Sequence, residues 1–79
     1  VRSAGELRLI LLRELHHVGL VRAVELAPRL GLSYRSVTTV LGRLEAEGLA
    51  RKVKALSGTW TATPAGDQEF GRLRRLLAG

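Results

Sequence analysis

Two neighbouring stretches decide the fold: LAPRLGLSYRSVTTVLGRLEAEGLARKV, from Leu26 to Val53, and SGTWTATPAG, from Ser57 to Gly66. Gly31-Leu32-Ser33 reads as a tight turn. Gly31 suits the left-handed position that ends a helix, Leu32 plugs the angle between two helices, and Ser33 offers a hydroxyl to cap the next one. From Tyr34 to about Glu47, Val37, Val40, Leu41 and Leu44 recur at helical spacing, the stripe of an amphipathic helix. Gly48 stops it. Leu49 to Ala55 then alternates, with Leu49, Val53 and Ala55 on one face and Lys52 and Lys54 on the other. Ser57-Gly58 is the turn of a hairpin, and Thr59 to Ala62 is its return strand, with Trp60 and Ala62 on one face. Thr63-Pro64 is a helix start, a capping hydroxyl followed by proline in the first turn.

Working outward, Ala4 to His17 carries Leu7, Ile10 or Leu11, and Leu15 at helical spacing, with Ser3 as its cap and Glu6 completing a capping box. Gly19 ends this helix, and Leu20-Val21 suits a brief strand. A second helix from about Arg22 to Leu30 is expected to bury Val24, Leu26, Ala27 and Leu30. Pro28 lies inside it, lacks an N–H and crowds the preceding turn, so either the helix starts late with Pro28 in its first turn or, the favoured reading, it is broken or distorted there. The last helix runs from Pro64 to about Leu77, with Phe70, Leu73, Leu76 and Leu77 as its apolar stripe.

The bulk properties narrow the function classes. Seventy-nine residues suit one domain, residues 1–79, with a hydrophobic fraction of 46% that is ample for a core. A chain of this size buries only a little over ~60% of its unfolded surface, so self-association is a natural remedy. The last helix presents more apolar surface than one small core needs. Phe70, Leu73, Leu76 and Leu77 are therefore the candidate homodimer interface, with the first helix able to share it. No apolar run approaches the ~18 residues of a membrane span, and Arg8 and Arg13 interrupt the first helix in a way a secretory signal does not allow. Cysteine is absent, which excludes disulfides, thiolate metal sites and cysteine catalysis, and fits a cytoplasmic, nucleoid-associated protein.

Thirteen Lys and Arg against seven Asp and Glu give a net charge of +6, which points to a polyanionic partner. Between residues 31 and 63, Arg35, Arg43, Arg51, Lys52 and Lys54 face only Glu45 and Glu47, a local excess of +3. On a wheel of ~100° per residue, the side of the third helix opposite Val37 and Leu44 collects Arg35, Thr39, Gly42 and Ala46, flanked by Ser36, Thr38 and Arg43. That side is small, polar and basic enough to enter a duplex major groove ~12 Å wide. Arginines there fork onto guanine or grip phosphate, and hydroxyls bond to phosphate or base edges. A solvated helix face is the bland alternative. The acids, however, gather at the far end of the helix. Lys52 and Lys54 beside the hairpin turn, with Arg51 just before, suit an adjacent phosphate backbone, or else serve only to keep an edge strand from pairing with other chains. The candidate DNA-contacting set is Ser33, Tyr34, Arg35, Ser36, Thr38, Thr39, Gly42, Arg43, Arg51, Lys52, Lys54, Ser57 and Thr59. Trp60 suits either stacking or, more simply, packing beneath the hairpin. His16-His17 suits a helix C-terminus; adjacent ring directions do not make a metal pair, and no metal or other cofactor is expected. Nothing resembles a phosphate loop, a metal-ligand spacing or an ordered triad, so no catalytic residue is assigned.

The LA-x-R-LGLS turn, the V-x-x-x-L-x-x-LE-x-EGL-x-R-K helix and the hairpin ending in T-P-A-G resemble winged helix-turn-helix transcriptional regulators, with the nearest echoes in the MarR and PadR groups. The resemblance spans about Val21 to Phe70. It implies an α+β, mostly α fold: a three-helix core, a two-stranded wing and a C-terminal helix. It also implies sequence-selective binding of double-stranded DNA by a homodimeric, repressor-like regulator, through residues matching Ser33 to Arg43 and a basic wing matching Arg51 to Thr59. MarR-like proteins build their ligand pocket from extra helices, where this chain has one short helix at each end, so no small-molecule effector is expected. Two other functions fit the same charge and size: a protein-interaction module of a larger assembly, and a general nucleic-acid packaging protein.

Overall fold

The computed structural model describes residues 4–78, in the order α1 (Ala4–Val18), β1 (Val21–Arg22), α2 (Ala23–Leu30), α3 (Tyr34–Ala46), β2 (Ala50–Lys52), β3 (Thr59–Ala62) and α4 (Pro64–Ala78). Four helices and a three-stranded antiparallel sheet of order β1-β3-β2 make a mostly helical winged-helix fold. The expected Ser3 cap lies outside the described residues. Among the described residues, no helix is long and apolar enough to cross a membrane.

The core forms where the helical stripes meet the sheet. Leu11, Leu12 and Leu15 of α1, Leu26 of α2, and Val37, Leu41 and Leu44 of α3 are fully buried. Each such side chain is worth roughly 1.5–3 kcal/mol relative to leaving it in water. Val21, Ala50, Trp60 and Phe70 close the same cluster. Trp60 thus packs inward beneath the wing, the simpler of its two expected roles.

The turn between α2 and α3 is built as its residues require. Gly31 adopts φ 68°, and its N–H and that of Leu32 return to the last carbonyls of α2, at 3.2 Å on Pro28 and 2.9 Å on Ala27. The side chain of Ser33 accepts from the Ser36 amide at 3.1 Å, capping α3.

Four expectations are corrected. First, α2 is unbroken across Pro28. The helix has only eight residues, so the proline forfeits a single intrahelical bond, to the carbonyl of Val24. Second, Val24 itself is 56% exposed, and Ala23 takes its place among the buried residues. It shares the outward side of α2 with Pro28, four residues on. Third, the leading strand of the wing is only Ala50–Lys52, and its faces are the reverse of those expected. The register pairs Ala50 with Ala62 and Lys52 with Trp60, so the alanine goes into the core and the lysine covers the indole. The polar label of Lys52 hid a long aliphatic stem able to do this. Fourth, Phe70 is 4% exposed and belongs to the protomer's own core, where it meets the rings of His16 and His17 at 5.1 and 5.7 Å. It offers no surface to a second copy.

The α4 N-terminus is anchored tightly. The Thr63 hydroxyl accepts from the Gly66 amide at 3.0 Å and donates to the Gly48 carbonyl at 2.6 Å. Gly66 then passes so close to β2 that a Cβ there would sit 2.0 Å from the Leu49 carbonyl oxygen.

Candidate nucleic-acid interface

The outward side of α3 divides into two flanks. Tyr34, Thr38, Gly42 and Glu45 look toward the wing and, with Lys52, Lys54 and Ser57, line a groove between helix and hairpin. Ser33, Arg35, Ser36, Thr39 and Arg43 lie along the other flank, in a shallower depression bordered by Leu7 of α1. Ser33, Tyr34, Arg35, Thr39, Gly42 and Arg43 are exposed, while Ser36 and Thr38 are half-buried. No heavy atom outside the helix lies within 4 Å of where a Gly42 Cβ would stand, so the site is open to a partner.

Local hydrogen bonds set what each hydroxyl has left to offer. Ser33 donates to the Ser36 hydroxyl at 2.9 Å, and Thr38 donates to the Arg35 carbonyl at 3.1 Å. Ser36 therefore keeps its proton for a ligand, whereas Thr38 presents only lone pairs. Thr39 lies free along the arginine flank.

On the wing, Lys52 holds its ammonium 5.4 Å from the centre of the Trp60 ring, a cation–π contact that restricts its motion. Lys54 and Ser57 are exposed in the turn, which closes with Gly58 at φ 73°. Two of the contact residues expected on the wing are not brought to the groove. Arg51 alternates to the opposite face of the sheet from Lys52 and pairs with Thr61. Thr59 is 5% exposed, enclosed between β1 and β2, and its side chain cannot meet an external partner. The expected set was read from polarity along the hairpin; the register decides which of those polar side chains face out.

The cations of the molecule are only partly paired. Away from the interface, four arginines are matched with acids, Arg8 with Glu47 and Glu69, Arg22 with Glu25, Arg29 with Glu14, and Arg72 with Glu69, whereas Arg13, Arg74 and Arg75 have no carboxylate in ion-pair range among the described residues. Among the described residues, Arg35, Arg43, Arg51, Lys52 and Lys54 have no carboxylate in ion-pair range. Like charges left without counterions raise the local potential, and an anionic partner lowers it. The Arg72 guanidinium hydrogen-bonded to Glu69 holds that carboxyl below the usual glutamate range; desolvation opposes this, and the charges of Arg72 and Arg8 add to the lowering.

His16 Nδ1 lies 2.7 Å from Asp67 Oδ1, joining α1 to α4. Among the described residues, no three His, Cys, Asp or Glu side chains gather as a metal site would require.

No family model matches the chain, and no curated protein does. Among solved structures, the crystal structure of T. acidophilum IdeR is similar, with a TM-score of 0.68 and 25% identity over 95% of this chain. The chain spans about a third, 34%, of the length of that protein. The likeness establishes a winged-helix fold of the transcription-regulator kind.

Proposed function

We propose that this chain binds double-stranded DNA in a sequence-selective way and acts as a repressor-like transcriptional regulator of the MarR/PadR type, in the cytoplasm at the nucleoid, without catalysis. The observation that carries this reading is the gathering of cations on α3 and the wing: Arg35 and Arg43 on the helix and Lys52 and Lys54 on the hairpin have no carboxylate in ion-pair range among the described residues. In this reading the outward side of α3 enters the major groove with the Arg35–Thr39–Arg43 flank foremost, and Lys52, Lys54 and Ser57 on the opposite wall hold the adjoining phosphates.

Titration of a fluorescent duplex at two ionic strengths tests it. Affinity should fall steeply with salt. Arg35→Ala or Arg43→Ala should cost about 1–3 kcal/mol on a preferred site, whereas Lys54→Ala should weaken all duplexes alike and lower the salt slope by about one. Salt-independent binding would defeat the proposal.

The working unit is a homodimer formed through α1 and α4. Leu9, Leu73, Leu76 and Leu77 border an apolar groove between these helices, and Leu76 and Leu77 are 65% and 73% exposed. Sedimentation of the protein and of a Leu76→Glu, Leu77→Glu double variant at micromolar concentration is the check: a dimer for the first and a monomer for the second. A monomeric parent protein would remove this part alone.

A further inference from the structure

One carboxylate stands apart from the rest. Among the described acids, Glu14, Glu25, Glu47, Asp67 and Glu69 each have an ion-pair partner, and Glu6 is engaged as well. Glu45 alone has none, although it lines the same groove as Lys52 and Lys54. It is exposed, three residues after Gly42 on the wing-facing flank of α3, and it is the groove's only acid.

An ionised carboxylate only accepts hydrogen bonds. Phosphodiester oxygens are acceptors too, and negative, so a backbone segment laid beside Glu45 is repelled. The donors a duplex offers in its major groove are the exocyclic amines, and the amine of cytosine is the one a glutamate matches best. On the reading of α3 and the wing as a duplex-binding surface, on which this inference rests, we infer that Glu45 is a specificity-determining residue. It accepts the N4 amine of a cytosine at the point of the site facing it, and it penalises any duplex that presents phosphate or another base edge there. The lysines across the groove supply general attraction, and Glu45 makes part of that attraction conditional on sequence.

The experiment compares the parent protein, Glu45→Ala and Asp67→Asn. Asp67 lies on the α1–α4 side, and its loss changes net charge by the same one unit. Each protein selects from a random duplex pool, and affinities for selected and random duplexes are then measured by anisotropy. Circular dichroism first verifies that all three are folded. The expected result is a cytosine preference at one position for the parent and for Asp67→Asn, lost in Glu45→Ala. Glu45→Ala should also bind random duplex about threefold to tenfold tighter than the parent, beyond any gain in Asp67→Asn. An unchanged preference in Glu45→Ala, or a gain no larger than that of Asp67→Asn, would overturn the inference while leaving duplex binding intact. A parent protein that binds no duplex at low salt would sink the underlying reading, and this inference with it.

Discussion

Gly66 carries a constraint that its surroundings in the sequence do not announce. Within a helix it looks like a poor helix former costing ~1 kcal/mol relative to alanine. Its actual neighbour is a main-chain carbonyl: a Cβ would stand 2.0 Å from the oxygen of Leu49, on backbone that cannot swing aside. The same carbonyl accepts the Thr63 amide at 3.1 Å, so displacing it also loosens the start of α4. Gly66→Ala should therefore destabilise by about 1–3 kcal/mol, the cost of overpacking. Gly71, one and a half turns further along α4, has nothing within 4 Å of its Cβ position. Gly71→Ala should stabilise by up to ~1 kcal/mol through helix propensity. Urea midpoints of the two variants should move in opposite directions, and equal shifts would discredit the close-contact argument. Lys52 shows the converse: a residue chosen from its charge that the fold also uses for its stem, laid over Trp60.

At the level of elements, α3 was legible because a stripe of Val37, Val40, Leu41 and Leu44 has one reading, and Ser33 and Gly48 mark its ends. The hairpin was less so. Its return strand was clear, but the leading strand was expected to run on to Ala55, and a one-residue change of phase exchanges its two faces; only pairing with Trp60 and Ala62 sets that phase. This is why Lys52 was placed on the face away from the core. The α4 stripe was recognised, whereas its depth was not, because the side chains that enter the core depend on where α1 lies against it. Caps, by contrast, act locally and read well. Thr63 does two jobs, accepting from Gly66 and donating to the Gly48 carbonyl that follows α3. Removing both bonds in Thr63→Ala should cost about 1–2 kcal/mol, with Thr63→Ser recovering most of it. The measurement is the urea midpoint of each variant; an Ala variant as stable as the parent would show that the corner holds without the hydroxyl.

Over the whole molecule, long-range charge pairs tie the supporting helices together, whereas the cations of α3 and the wing have no carboxylate partners among the described residues. Glu47 closes the C-terminal end of α3, where a helix dipole disfavours an acid, and Arg8 of α1 neutralises it from 39 residues away in sequence. Arg8 also reaches Glu69, which Arg72 holds through two bonds of 2.7 and 2.8 Å, so α1, α3 and α4 share one network. No local pattern reveals such a link, which is why the +3 excess of residues 31–63 was visible in the sequence and the pairing of Arg8 with Glu47 and Glu69 was not. The network carries a pH signature. Because the Glu69 carboxyl is held below its ordinary value in the fold, it binds a proton less readily folded than unfolded. Its contribution is therefore complete above the ordinary glutamate range and is lost as pH falls from there through the depressed folded value. The group sits near the surface, so the effect should stay below about 1 kcal/mol. Glu69→Gln cannot titrate, and its loss relative to the parent should be greatest near neutrality and shrink on acidification. Thermal unfolding of both proteins from pH 7 into the acid range reads this directly. A difference that stays constant, or widens as pH falls, would show that the Arg8–Glu69–Arg72 cluster contributes by packing alone.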